Sequence, residues 1–195
     1  MSRLLCVGLG LGLILVAGGA ARVEAGEPEY ELKARILSLM LPYVVWPHLE
    51  ARADTHFDLV VLGKSPFGKE LDRALRTQTI RQRPIRIRYL SRFADLGSCD
   101  ALFLCASESS QAGRITAWAR DNKVLTISDT KALSEKGIMV NLVLDESNRK
   151  SLIRMAINLD ETKAGGISID SRLLPMAEIV KLARAPESAP PGRQP

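Results

Sequence analysis

The stretch FDLVVLGKSPFGKEL contains residue types that bind phosphate in nucleotide-binding proteins. Its apolar run ends in Gly63-Lys64-Ser65, and Gly-Lys-Ser after a strand is the end of a phosphate-binding loop. That loop also requires a glycine five residues before the Gly-Lys pair, and this chain has Asp58 there, inside the apolar run. The glycine-rich cradle therefore cannot form. The sequence instead predicts a strand-to-helix turn, in which Ser65 caps a helix that begins at Pro66.

The rest of the chain shows few residues in patterns that support catalysis or metal binding. Its two histidines, His48 and His56, have no neighbouring ligand pattern, so we expect no metal site. No serine occupies a Gly-x-Ser-x-Gly motif, and no cysteine has a motif-level partner. We therefore predict a protein that is not an enzyme and needs no cofactor. Catalytic residues that come together from distant positions are the alternative.

The first 25 residues are typical of a secretory signal peptide. A charged start at Ser2-Arg3 precedes the apolar stretch Leu4 to Ala17, and small residues precede a cleavage point after Ala25. The apolar stretch is shorter than the ~20 residues of a membrane span, although an uncleaved anchor is the alternative. We expect the protein to be exported.

Cleavage would leave 170 of the 195 residues, which suits one domain. The formal net charge would fall from +5 to +4, because the leader carries Arg3, Arg22 and Glu24. This mild basicity, together with export, argues against a nucleic-acid partner.

Two cysteines, Cys99 and Cys105, remain after cleavage. They flank a run that resembles one strand, and six residues at ~3.3 Å each would separate them by about 20 Å. A disulfide needs Cα atoms within ~7 Å of each other. We expect no disulfide between the two, so each is a buried thiol or one of them pairs with a second chain.

The apolar pattern predicts an α/β fold, a mostly parallel sheet flanked by helices in a Rossmann-like three-layer sandwich. Residues Pro84–Leu90 alternate in polarity and begin with proline, which predicts an edge strand with Ile85, Ile87 and Tyr89 buried. The other predicted elements are a helix over Glu27–Trp46 that Pro42 kinks or ends, strands over His56–Leu62, Ala101–Ala106 and Val124–Ser128, and a helix over Gln111–Arg120.

The last third of the chain has a different pattern. Two strand-like runs, Gly137–Leu144 and Ser151–Asn158, are joined by a polar turn, which predicts an antiparallel hairpin added to the sheet. A final helix is predicted over Ser171–Leu182. The single domain would cover residues 26–184, and the Pro- and Ser-rich residues 185–195 would form a disordered tail.

Seven arginines fall within twenty residues of the chain. They are Arg73, Arg76, Arg81, Arg83, Arg86, Arg88 and Arg92. Most runs of this kind are solvated faces, and the functional alternatives are an acidic protein partner or anionic lipid headgroups. A basic edge strand could also pair with a partner strand, although facing arginines oppose self-pairing.

Taken in order, several segments resemble the YfiR family, small exported proteins of Gram-negative bacteria. Cys99 stands at the family's cysteine, while Pro42 interrupts the first helix and Ile138 stands where the family prefers a second glycine. The segments are EYELKARILSLMLPYVVWP, FDLVVLGKSPFGKEL, CDALFLCASES, VLTISD, GIMVNLVLDE and INLDETKAGGISIDSRLLPMAEIV.

The resemblance implies a periplasmic α/β protein, often a homodimer, that represses an inner-membrane diguanylate cyclase. Such a protein binds the periplasmic sensor region of the cyclase and keeps cyclic di-GMP low, with consequences for biofilm formation and motility. As residues that contact the partner we expect Trp46, Pro47, Arg86 and Arg88, although a tryptophan at position 46 more often belongs to a core.

A periplasmic small-molecule-binding module is the other hypothesis. Ligands of such sheets bind beyond the carboxyl ends of the strands. The residues expected there are Lys64, Ser65, Ser107, Asp129 and Thr130.

Overall fold

The computed structural model describes residues 27–49, 55–145 and 152–180. Within these ranges the α-helices are α1 (Glu27–Met40), α2 (Glu70–Leu75), α3 (Ala112–Asp121) and α4 (Leu159–Ala164). The strands are β1 (Val44–Val45), β2 (Phe57–Leu62), β3 (Thr79–Ile80), β4 (Arg83–Leu90), β5 (Ala101–Leu104), β6 (Leu125–Ser128), β7 (Val140–Asp145), β8 (Leu152–Asn158), β9 (Ser168–Ile169) and β10 (Glu178–Val180).

Eight of these strands form one mixed sheet in the order β10-β8-β7-β6-β5-β2-β4-β3. The five central strands, β7, β6, β5, β2 and β4, are parallel to one another. The β7–β8 pair is antiparallel, as the sequence predicts for a hairpin, and β10 lies parallel to β8 at the outer edge. The predicted α/β fold with a largely parallel sheet is confirmed.

Two apolar clusters lie on opposite faces of the sheet. One face packs against α1 and α2 through residues such as Leu37 and Leu71, and the other packs against α3 through Ile115 and Ala119. The strand β2 contributes to both clusters because its residues are buried on both faces, which explains its unbroken apolar run. Helices on both faces complete the three layers.

Proline ends the first helix. α1 stops at Met40 and a 3-10 turn over Leu41–Tyr43 follows, because Pro42 lacks the backbone N–H that a longer helix would need. The chain then forms β1, which pairs antiparallel with β9 in a small separate sheet. The sequence pattern did not predict either of these two-residue strands.

The predicted last helix is wrong. Residues Leu174–Met176 form only a 3-10 turn, and Glu178–Val180 is the strand β10. Pro175 favours the short turn over a helix, and Ile179 and Val180 are β-branched residues that suit a strand. The helix that does form in this region, α4, precedes Gly165 and is capped at its start by Asn158, whose side chain accepts a hydrogen bond from the Glu161 amide.

Two further details differ from the sequence prediction. The helix after β2 begins at Glu70 instead of Pro66, and Ser65 makes only a weak turn bond, 3.4 Å, with the Phe67 amide. Tyr89, predicted to be buried on β4, is 42% exposed. The predicted signal peptide, the hairpin turn at 146–150 and the tail at 185–195 lie outside the described residues.

Candidate functional site

The crevice at the carboxyl ends of β2 and β5 is the place where a sheet of this kind binds ligands. After β2 the chain forms β4 on one side of β2 and then returns to form β5 on its other side. The strand order therefore reverses between β2 and β5. Here the two loops bond to each other, since the Lys64 amide donates to the Ser107 Oγ at 2.9 Å. A Cβ on Gly63 would lie 2.4 Å from that oxygen, so only glycine fits this turn, where φ is +101°.

The helix α1 closes the next part of the crevice, beyond β6. The Lys33 ammonium lies 3.0 Å from Asp129 Oδ2 and 2.5 Å from Glu29 Oε1. The Tyr30 hydroxyl donates to the same Asp129 oxygen at 2.9 Å, and the Lys33 ammonium lies over the Tyr30 ring. Lys33 is only 2% exposed, so its charge is satisfied inside the protein.

Burial keeps the thiol and the phenol beside the crevice in their protonated forms. Burial, with the nearby Asp129 and Glu108 carboxylates, raises the pKa of the Cys105 thiol to about 12. Burial and the bond to Asp129 also raise the pKa of Tyr30. Both groups therefore stay protonated at neutral pH, whereas an attacking cysteine needs a lowered pKa.

The five residues predicted to form a ligand pocket lie near this crevice, and two of them bond to other parts of the chain. The Asp129 carboxylate accepts a hydrogen bond from Lys33 of α1, and the Thr130 carbonyl accepts one from the Asn141 side chain. That Lys64, Ser65, Ser107, Asp129 and Thr130 line a ligand pocket stays a prediction.

Sequence reasoning missed the residue that fills the crevice. Lys33 lies three positions after Tyr30 and four before Leu37, so it falls on the buried stripe of α1. A lysine on such a stripe is a signal of a buried ion pair, because an isolated buried ammonium is too costly.

The four residues expected to contact a partner lie apart in two places. The Trp46 ring packs edge-on against Phe57, with 4.8 Å between the ring centroids, and Trp46 is 3% exposed, so it belongs to the core. Pro47 beside it is exposed. Arg86 and Arg88 lie on β4, on the far side of the sheet from α2.

Both β4 arginines bond within the chain. Arg86 holds the Asp58 carboxylate with two bonds, 2.5 Å and 2.7 Å, and Arg88 donates to the backbone carbonyls of Leu96 and Ser98. Arg86 is still half exposed. These guanidinium groups therefore fasten β4 to its neighbours and leave part of their surface to solvent.

The described residues contain neither a metal-ligand cluster nor a helix long and apolar enough to cross a membrane. Cys99 and Cys105 are both buried, and no disulfide joins them.

The chain matches the model of a family described as DUF4154, YfiR/HmsC-like, over residues 30–178. This match covers almost all of the described domain. The chain therefore belongs to the YfiR/HmsC-like family, and the resemblance that its ordered segments show is confirmed.

Two solved structures share the fold. A conserved domain protein from Vibrio cholerae O1 biovar El Tor is 14% identical with a TM-score of 0.53, over 77% of this chain and 59% of that one. An ABC domain from Streptococcus pneumoniae, solved in complex with L-Trp, is 12% identical with a TM-score of 0.53, over 77% of this chain and 60% of that one. This chain spans about three fifths of either. No curated protein matches it.

Proposed function

We propose that the mature protein is a periplasmic negative regulator that binds the periplasmic sensor region of an inner-membrane diguanylate cyclase. Bound there, it lowers cyclic di-GMP and so affects biofilm formation and motility. The observation that carries this proposal is the family match over residues 30–178. The leader-like first 25 residues support export, because they have the charged start and apolar stretch of a signal peptide.

The geometry of the crevice supports binding to a protein over catalysis. The carboxyl ends of β2, β5 and β6 are closed by the Lys64–Ser107 bond and by α1 with Lys33. The one buried thiol beside them, Cys105, is held in its protonated form at neutral pH. A crevice bridged by its own loops, with its thiol protonated, favours the outer surface as the part that binds a partner.

Repression requires a difference in affinity between two states of the cyclase. The regulator must bind the inactive state more tightly than the active one, because equal affinity shifts no population. Moving a population from 1:99 to 99:1 takes about 5.5 kcal/mol. An interface that supplies this difference would bury roughly 1,200 Å² or more in total.

Deletion of the gene in a strain with and without the cognate cyclase tests the proposal. Cyclic di-GMP, measured by mass spectrometry, is expected to rise only where the cyclase is present. Complementation with residues 26–195, which lack the leader, controls for compartment and should not restore repression. Unchanged cyclic di-GMP in both strains would contradict the proposal.

The homodimer implied by the family belongs to the same proposal. Sedimentation velocity of the mature protein at micromolar concentration measures its mass, and a monomer at every concentration would contradict a stable dimer.

A further inference from the structure

The strand β4 has an open edge over most of its length. It pairs with β2 from Ile85 to Leu90, whereas β3 pairs with it only at Arg83 and Pro84. Among the residues that the structure describes, no strand pairs with the outer side of the remaining six positions. An exposed edge of this kind presents unpaired backbone groups to another chain.

The direction of the open backbone groups follows from the pairing. The Leu90 carbonyl accepts from the Gly63 amide at 2.7 Å, so the backbone of Leu90 faces β2. Backbone groups alternate along a strand, and Ile85, Ile87 and Tyr89 therefore face outward. In the described part of the chain, the three N–H groups and three C=O groups of these residues have no partner strand.

A groove beside this edge receives the side chains of an added strand. It has a volume of about 380 Å³ and lies between α2 and β4, lined by Asp72, Leu75, Arg76 and the two isoleucines of β4. The Tyr89 hydroxyl donates to Asp72 of α2 at 2.6 Å and marks its end. Every second side chain of a paired segment would point into this partly apolar groove.

The charge around the groove selects an acidic segment. Arg76 lines the groove and Arg81 lies in the turn between β3 and β4; both are exposed, and no carboxylate of the described residues pairs with either of them. Arg86 and Arg88 do not obstruct the edge, because their guanidinium groups bond to Asp58 and to backbone carbonyls within the chain. Pairing with a second copy would bring the unpaired arginines together, which opposes it.

We propose that the open edge of β4 binds an extended acidic segment of a partner protein as an added strand. For the biological identity of that partner, the inference rests on the proposed function. Backbone bonds from Ile85, Ile87 and Tyr89 provide the pairing, the groove beside α2 takes alternate apolar side chains, and Arg76 and Arg81 attract the acidic ones.

Amide hydrogen exchange measured by NMR on the mature protein tests the pairing directly. The probe is a blocked hexapeptide of alternating glutamate and valine, and the control is the same peptide with N-methylated amides on one edge. The probe is expected to slow exchange at Ile85, Ile87 and Tyr89 about tenfold or more, while Arg86 and Arg88, already bonded to β2, stay unchanged. Unchanged exchange at all three outward amides would overturn the proposal.

Charge reversal tests the choice of an acidic partner. Arg76→Glu with Arg81→Glu should weaken peptide binding about tenfold, since two attractions become repulsions. Arg114→Glu on α3 is the matched control, because Arg114 is exposed, and its only described contact is with the Phe93 ring. Equal loss in both variants would contradict a groove-specific role. Binding of anionic phospholipid vesicles without amide protection would favour a lipid surface and overturn the proposal.

A last comparison separates this inference from the proposed function. If the purified sensor region of the cyclase binds without protecting the three amides, the edge proposal fails and the regulatory function stands. If the hexapeptide protects the amides but the sensor region does not bind, the edge proposal stands and the regulatory function fails. If the same amides are protected only because two copies of the chain associate, which would be seen as a doubled mass, the proposal of an acidic partner segment is overturned.

Discussion

At the scale of single residues, the Lys33 ammonium decides what the crevice can do. It lies between Asp129 and Glu29 and occupies the position that a cationic ligand would take beyond β6. Its burial is favourable only because two carboxylates and the Tyr30 ring surround it. The same contacts hold α1 against the sheet. The cluster therefore contributes both to the stability of the domain and to the closure of the crevice.

Replacing Lys33 tests this role. Lys33→Met should lower the free energy of unfolding by about 3 kcal/mol, because it leaves the Asp129 carboxylate, 7% exposed, without its cation. Urea denaturation at pH 7 measures the change. Lys69→Met, at an exposed lysine before α2, is the control and should change stability by less than about 0.5 kcal/mol. A loss below about 1 kcal/mol for Lys33→Met would contradict the account.

Alkaline pH should destabilise the protein through the same cluster. The pKa of Cys105 is raised from 9.0 to about 12 in the folded state, and the pKa of Tyr30 is raised above its ordinary value of 10. Their contribution is fully present below the unfolded values and is lost as pH rises through the folded ones, so stability falls above about pH 9. Urea denaturation from pH 7 to 11 should show a smaller fall for Cys105→Ala and Tyr30→Phe than for the parent. Identical slopes in all three would contradict it.

At the scale of secondary structure, the central strands of the sheet were more predictable than the strand β10 at its edge. Continuous apolar runs identify β2 and β5 because both faces of these strands are covered. The secondary structure after Gly166 could not be predicted from the spacing of the apolar residues. Leu174 and Ala177 have helical spacing, but the chain forms the strand β10 at Glu178–Val180. Pairing with β8 decides the conformation there, and a contact between distant segments leaves no local signal.

The candidate site was predictable only in part, for a similar reason. The loops after β2 and β6 could be assigned to one end of the sheet from strand direction alone. Closure of the crevice depends on α1, about a hundred residues before Asp129 in the chain, and a sequence pattern does not show which strand a helix covers. Trp46 was likewise predicted as a partner contact from its residue type, but it lies in the core.

The turn between β3 and β4 provides a prediction at this scale. Its two residues, Arg81 and Gln82, both have positive φ, +49° and +65°, which suits Asn-Gly far better than long side chains. Arg81→Asn with Gln82→Gly should raise the free energy of unfolding by about 1 kcal/mol. Removing the left-handed backbone strain stabilises the folded state by more than the added chain entropy of glycine stabilises the unfolded state. Thermal denaturation measures it. Gly68→Ala, also at positive φ, should have the opposite sign; the same sign for both would contradict the strain argument.

At the scale of the whole molecule, the fold of a ligand-binding sheet is combined with a crevice closed by its own first helix. The family match supports the proposed regulatory role, and the bond that bridges the crevice favours recognition at the outer surface. Composition alone could not identify the partner, because a charge of +5 and a run of arginines suit a solvated face as well as an acidic interface.

The most direct test of the central claim reconstitutes the cyclase in nanodiscs, which expose both membrane faces. Mature protein is added, and cyclic di-GMP formation from GTP is followed together with binding. The account predicts that the rate falls to a low plateau, with a midpoint equal to the dissociation constant for the sensor region. A rate that stays constant while the protein is bound at saturation would contradict it.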